Sequence, residues 1–336
     1  MQHVALSKLP AGAVTGIGSL SHVDAVAAAR FSLATCPDLP FVPQLVHRHP
    51  AEGMIAQVLL GVAGIGMVGD RLVLDLQAFD ASLEPSLDLG HQAFVGLRTF
   101  LRLARSHHGP VKWQLAGPLT VGMALLHHGV APSDAFHVAL RAVRHAARTI
   151  FARVEHDLPG RTQVVFIDEP SAAAVFRPGF PLPPDDAIDL VSGALAVLEG
   201  KAFVGLHCCA DADLAALMAA GPAIISVPSD AAHARLGGLF APFLEKGGVV
   251  AWGVVPTDRP LAANPDRYWH ELSAVWCELV SGGCDPLRLR RQSWLTPACG
   301  LAHHTPDQSA VILGLTSSVA ARVAEQAAAT RLIIGA

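Results

Sequence analysis

Apolar and polar positions follow two rhythms along this chain. Short β-branched runs, each closed by Gly, Pro, Ser or a polar cluster, are separated by Ala- and Leu-rich stretches whose apolar residues recur three or four apart. The runs predict eight strands, over Val14–Gly18, Phe41–Leu45, Val111–Gly117, Gln163–Ile167, Ala202–His207, Ala223–Val227, Val249–Gly253 and Gln292–Thr296. Arg71–Leu76 reads as an extra strand in an early excursion. Helices are expected over Asp24–Ala34, Leu89–Ser106, Ser133–Asp157, Asp185–Leu198, Asp211–Ala219, Leu236–Lys246, Arg267–Ser281 and Asp307–Gln326. Ser133 reads as the cap of the longest early helix, where Phe136, Leu140, Val143, Ala147 and Ile150 fall on one face.

Strand–helix alternation with short linkers implies an α/β fold with a parallel sheet, and eight units close most naturally into a (β/α)8 TIM barrel. The rival is an open doubly wound sheet, but "TGIGSL" after the first strand departs from the dinucleotide-binding pattern G-x-G-x-x-G. No internal repeat, low-complexity tract or Pro/Ser linker marks a boundary, and "PGFPLPP" (178–184) reads as a rigid loop. A single barrel over residues 1–336 is therefore expected.

Composition narrows the function. The mean hydropathy of +0.41 comes mostly from Ala, Val and Leu, and no run of about 18 apolar residues is present to span a bilayer. The start of the sequence lacks the basic, apolar and cleavable pattern of a secretory signal, so a cytoplasmic location is expected. A net charge of −4 without a basic run argues against a nucleic-acid partner. Six cysteines in 336 residues are too sparse for a disulfide framework, which leaves them as metal ligands, nucleophiles or core residues.

Polar residues gather at the carboxyl ends of the predicted strands, where barrel side chains converge on one mouth. They are Ser19, Gln44, Thr120, Asp168–Glu169, His207–Cys208–Cys209, Ser229–Asp230, Trp252 with Thr257, and Cys299. If the fifth strand stays extended, His207 and Cys209 share a face and Cys208 takes the other. With Cys299 from the eighth strand they can make an NS2 zinc site with one open position, suited to activating a substrate thiol. The plainer alternative is small core cysteines and a satisfied histidine. Asp168 and Glu169 follow a buried strand, so each either accepts hydrogen bonds from neighbouring loops or holds a cation such as a substrate amine. Glu52 opens a helix and could serve the helix dipole; Ser19 could cap the first helix or help hold a carboxylate. The paired histidines 107–108, 127–128 and 303–304 cannot share a metal on a helix, and His47 and His49 are the likeliest of the rest to reach the mouth. Neither G-x-S-x-G nor a Walker loop occurs, which removes serine-hydrolase and phosphate-transfer readings.

In order, "TGIGSL", "PFVPQL", "LAGPLT", "FIDEP", "GLHCC", "WGVVPT" and "LTPACGLA" resemble the catalytic barrel of the cobalamin-independent methionine synthase family. Its superfamily includes uroporphyrinogen decarboxylase and the methylcobamide:thiol methyltransferases. The resemblance runs from Val14 to His304, and its most specific elements are His207/Cys209 and Cys299–Leu301. It implies zinc on His207, Cys209 and Cys299. It also implies a homocysteine carboxylate held by Ile17, Gly18 and Ser19, and its amino group held by Asp168 with Glu52 nearby.

Two departures stand out. The family's further zinc-ligating glutamate is missing from "AIISVPSD", where Val227 stands near the expected place, and its histidine after the seventh strand is replaced by "VVPT". The expected activity is zinc-dependent methylation of homocysteine to methionine. The donor is either a methyl-corrinoid, free or on a corrinoid protein, or methyltetrahydrofolate. The alternatives are the same chemistry on another thiol, such as coenzyme M, or a metal-free decarboxylase of the uroporphyrinogen type. A degenerate barrel that merely binds zinc or a partner is the non-enzymatic reading.

Overall fold

The computed structural model describes residues 10–229 and 236–334. A small antiparallel hairpin, β1 (Ile65–Val68) with β2 (Arg71–Leu74), occupies the early excursion, so the extra strand exists but pairs only locally. The main sheet is parallel and six-stranded, in the order β3 (Val111–Ala116), β4 (Gln163–Asp168), β5 (Phe203–His207), β6 (Ile224–Pro228), β7 (Val249–Val255) and β8 (Ser293–Pro297). Sequential order with a helical connection at each step is what short strand–helix–strand linkers produce.

The two segments expected as the first strands form single bridges rather than ladders. Val14 bridges Leu295 on β8, Phe41 bridges Lys112 on β3, and Ser19 bridges Gln44, all parallel. The reason is local: Gly16 and Gly18 interrupt one segment, and Pro40 and Pro43 bracket the other and withhold donors. Backbone bonds still fasten both, including Thr15 N–H to Leu295 O (3.1 Å) and Val42 N–H to Lys112 O (2.8 Å).

Two apolar clusters pack on the sheet. Val164, Phe166, Ile224, Val249, Ala251 and Trp294 form an inner cluster, while the larger cluster lies between strands and helices. Trp252, expected at the mouth, instead packs in that outer core and donates its indole N–H to Ser293 Oγ at 2.9 Å.

Helix ends differ from the reading of the sequence in instructive ways. The long helix Pro132–Asp157 starts with proline at its first position after Ala131, so Ser133 lies inside the first turn and makes no cap bond. Asp24, not Ser19, caps Ala25–Thr35 by accepting from Val26 N–H at 2.9 Å. The 178–184 segment ends in the start of the helix Pro184–Leu195. The helix Pro118–His127 was not expected, because it is apolar on nearly every side and carries no polar rhythm. No helix among the described residues is long and apolar enough to cross a membrane.

Candidate metal and substrate site

His207 is the last residue of β5, buried, and opposite Asp168 on β4 and Ser226 on β6. Its Nδ1 lies 3.0 Å from Ser226 Oγ, whereas its Nε2 is buried and makes no hydrogen bond. A buried ring nitrogen left free while its partner nitrogen is anchored is the arrangement a metal-ligating histidine adopts. The strand ends at His207, yet the following turn still brings Cys209 to the same side. One ligand atom each from His207, Cys209 and Cys299 falls within 4.8 Å of the others, and the two sulfurs are 3.1 Å apart.

The Cys299 thiol donates to Cys209 Sγ, which holds Cys209 below the usual thiol range and pushes Cys299 above it, so Cys209 is the first to become a thiolate. Cys208 is excluded from the cluster: it is buried, its thiol points to Ala210 O at 3.7 Å, and burial pushes it up to about 11. Val227, near the place where the resemblance calls for a further carboxylate, is a core residue and offers no ligand atom. Asp230 lies outside the described residues.

The donor set fits a borderline-soft divalent ion: one buried imidazole nitrogen without a hydrogen-bond partner and two convergent sulfurs. Three protein ligands leave a fourth tetrahedral position open. Among the described residues no other group of three His, Cys, Asp or Glu could hold a metal.

Asp168 and Glu169 are adjacent in sequence and take opposite roles. Glu169 is fully buried and spends its oxygens on the start of the Pro118–His127 helix, accepting from Leu119 N–H (2.8 Å), Thr120 N–H (2.9 Å) and the Thr120 hydroxyl (2.7 Å). Asp168 points the other way across the pleat; its Oδ1 is buried without a partner. Burial pushes its carboxyl up to about 6, against the pull of His207 and Lys112. Of the two carboxylates, Asp168 is thus the one with a buried oxygen that no protein donor meets.

The Ile17–Ser19 segment meets the loop after β8. Leu301 N–H donates to Ser19 O at 2.9 Å, and a Cβ on Gly300 would lie 2.0 Å from Ser19 Oγ, so only glycine fits beside that hydroxyl. Gly18 has φ +149° and Gln114 directly behind it, where a Cβ would come within 2.2 Å of its amide nitrogen. These contacts set Gly18 and Ser19 next to the chain that carries Cys299.

Glu52 behaves differently from Asp168. It is fully buried in the turn Pro50–Glu52, where it pairs with Arg48 Nε and accepts from Leu45 N–H at 3.1 Å. Both oxygens are therefore engaged within the chain. His49 accepts from Ala51 N–H (3.1 Å) as the cap of that turn.

Cys209 and Cys299 also line a cavity of about 1040 Å³ flanked by the loops after β7 and β8. His304 ties those loops together, its Nε2 3.0 Å from Thr257 O. The cavity wall carries Arg259 against Asp258, Glu271 and Glu278.

Lys112 was missed by the sequence reading. It sits at the second position of β3, fully buried, beneath Ile17. A lysine in a run reading "VKWQLA" was the available signal, because a charged residue inside an otherwise buried strand needs a reason.

No protein-family model and no curated protein sequence matches this chain. Among solved structures, it is similar to a Listeria monocytogenes protein provisionally described as a vitamin-B12-independent methionine synthase. The two share 12 % identity at a TM-score of 0.60, over 95 % of this chain and 98 % of that one. That likeness shows a shared α/β fold along almost the whole of both chains.

Proposed function

We propose that this chain is a single (β/α)8 barrel that binds zinc through His207, Cys209 and Cys299 and methylates the thiol of homocysteine to give methionine. The convergence of those three side chains, with His207 Nε2 free, is the observation that carries the reading. Support for the barrel comes from the bridged segments at Val14 and Phe41, which meet the two edge strands of the parallel sheet and each other.

Zinc at such a site lowers the pKa of an incoming thiol, while thiolate ligands keep the bound sulfur electron-rich enough to attack carbon. The chain's own residues would do the rest. Ser19 and the backbone of Ile17 and Gly18 hold the substrate carboxylate. Asp168 holds its ammonium, with Glu52 as a more distant acidic neighbour. Aligned in this way, the sulfur forms a bond to the donor methyl as the methyl's old bond breaks. The electron pair of that bond stays with the donor, and the thiol proton passes to solvent. The donor is a methyl-corrinoid, free or on a corrinoid protein, or methyltetrahydrofolate. The cavity beside Cys209 and Cys299 gives it an approach. Among the described residues of that wall, three acids against one arginine disfavour a tetrapyrrole polycarboxylate there.

Metal-loaded protein supplied with homocysteine and either donor should form methionine, and Cys209→Ser and Cys299→Ser should not. Full activity in either variant overturns the assignment.

A further inference from the structure

Lys112 has no exposed surface, yet it forms no ion pair with any described carboxylate. Its ammonium donates to the Ile17 carbonyl and to Gln114 Oε1 (3.0 Å), and lies 4.5 Å from the centre of the Phe166 ring. Gln114 in turn donates to Val42 O at 3.0 Å and packs against the back of Gly18. Lys112 therefore braces the Ile17–Ser19 segment from inside the sheet. Burial pushes its amine down to about 7, against the pull of Asp168, four residues further along the neighbouring strand in register terms, and of Cys36.

The interior thus places one basic group behind Ile17–Ser19 and one acidic group at the end of β4, with no ion pair between them, and burial disfavours the charged form of each while it stays uncompensated. Buried unpaired charges are expensive, and a separated pair is best compensated by a ligand carrying the two opposite charges in matching order. An ammonium bonded to a peptide carbonyl also polarises that peptide, which makes the N–H on its far side, here Gly18 N–H, a stronger donor to an anion.

We infer that Lys112, acting through the Ile17–Gly18 peptide, is the positive half of a zwitterion subsite that makes this site select thiols carrying an α-amino acid group. This rests on the proposed capture of the thiol by His207, Cys209 and Cys299. Lys112 is a positioning residue: the substrate carboxylate touches the 17–19 segment, and Lys112 sets the field there. A plain alkyl thiol leaves both charges uncompensated, and a thiol bearing only an anion leaves Asp168 so.

The test is calorimetric binding of three thiols to the zinc-loaded protein, wild type and Lys112→Met. The thiols are homocysteine, 3-aminopropanethiol, which lacks the carboxylate, and 4-mercaptobutanoate, which lacks the ammonium. Lys112→Met should weaken homocysteine and 4-mercaptobutanoate by about tenfold, the scale of one charge-assisted hydrogen bond, and leave 3-aminopropanethiol within about twofold. Equal weakening of all three means that Lys112 is only scaffolding and overturns the inference. If Lys112→Met does not fold, the wild type decides: homocysteine must bind at least about tenfold tighter than either singly charged analogue, and equal affinities refute the subsite. Binding of none of the three to wild type refutes the thiol site itself, and with it this inference, a result distinct from loss of selectivity.

Discussion

Replacing Glu169 by alanine isolates what the second carboxylate of "FIDEP" does. The substitution strands three donors, Leu119 N–H, Thr120 N–H and the Thr120 hydroxyl, in a place with little access to water. Each unsatisfied buried donor costs about 1–3 kcal/mol, so the gross loss is on the order of 3–9 kcal/mol. Removing the carboxylate also removes its own desolvation penalty, which is what pushes Glu169 from 4.5 up to about 7. That shift corresponds to about 3 kcal/mol when the group is ionised. The net loss at pH 8 is then about 3 kcal/mol, taking the middle of the gross range and subtracting the relief. The pH dependence follows from the same shift. A carboxyl whose folded pKa is raised keeps a proton that the unfolded chain has released, so its contribution is full below pH 4.5 and is lost as pH rises through about 7. Wild type should therefore exceed Glu169→Ala by about 2–3 kcal/mol more at pH 5 than at pH 8. Urea unfolding of both proteins at the two pH values, compared at matched m-values, measures this. A difference between the proteins that is the same at pH 5 and pH 8, or below about 1 kcal/mol at both, refutes the reasoning.

Three further outcomes are expected. Ser226→Ala should lower metal affinity about 10–100-fold in chelator competition while leaving one metal per chain at saturation, because it frees the His207 ring to turn; unchanged affinity removes Ser226 from that role. Asp168→Asn should raise the KM for homocysteine with little change in metal content, and an unchanged KM takes Asp168 out of the ammonium site. Glu52→Gln should cost about 2–4 kcal/mol of stability, since it leaves the Arg48 side chain without its buried carboxylate partner. Its effect on homocysteine affinity should be smaller than that of Asp168→Asn, and a larger one would make Glu52 the main ammonium contact.

The parallel sheet and the His/Cys/Cys cluster were the most legible features of the sequence, for the same reason. Buried central strands such as "QVVFID" and "AFVGLH" read as continuous apolar runs, so a polar residue at the end of one stands out, and His207, Cys209 and Cys299 were found this way. The edge segments were harder to read. Gly16, Gly18, Pro40 and Pro43 reduce their pairing to single bridges that tertiary contacts, not propensity, hold in place. The pair Asp168–Glu169 could not be divided by spacing, because which carboxylate meets the Leu119 and Thr120 amides depends on a helix start 49 and 50 residues away. Glu52 looked available because the partner that occupies it, Arg48, is four residues earlier across a turn whose shape only the fold defines. Lys112 stood out only as a charge inside an apolar run, and what it holds could not be read, because its contact with Ile17, 95 residues earlier, exists only in the fold.

The most direct test of the account is zinc per chain in carefully reduced protein, native and Cys299→Ser, with proton release followed as homocysteine is added. The three-ligand site predicts about one zinc per native chain, its loss in Cys299→Ser, and about one proton released per thiol bound. Reduced native protein that takes up no zinc, or that binds zinc equally well without Cys299, would contradict it.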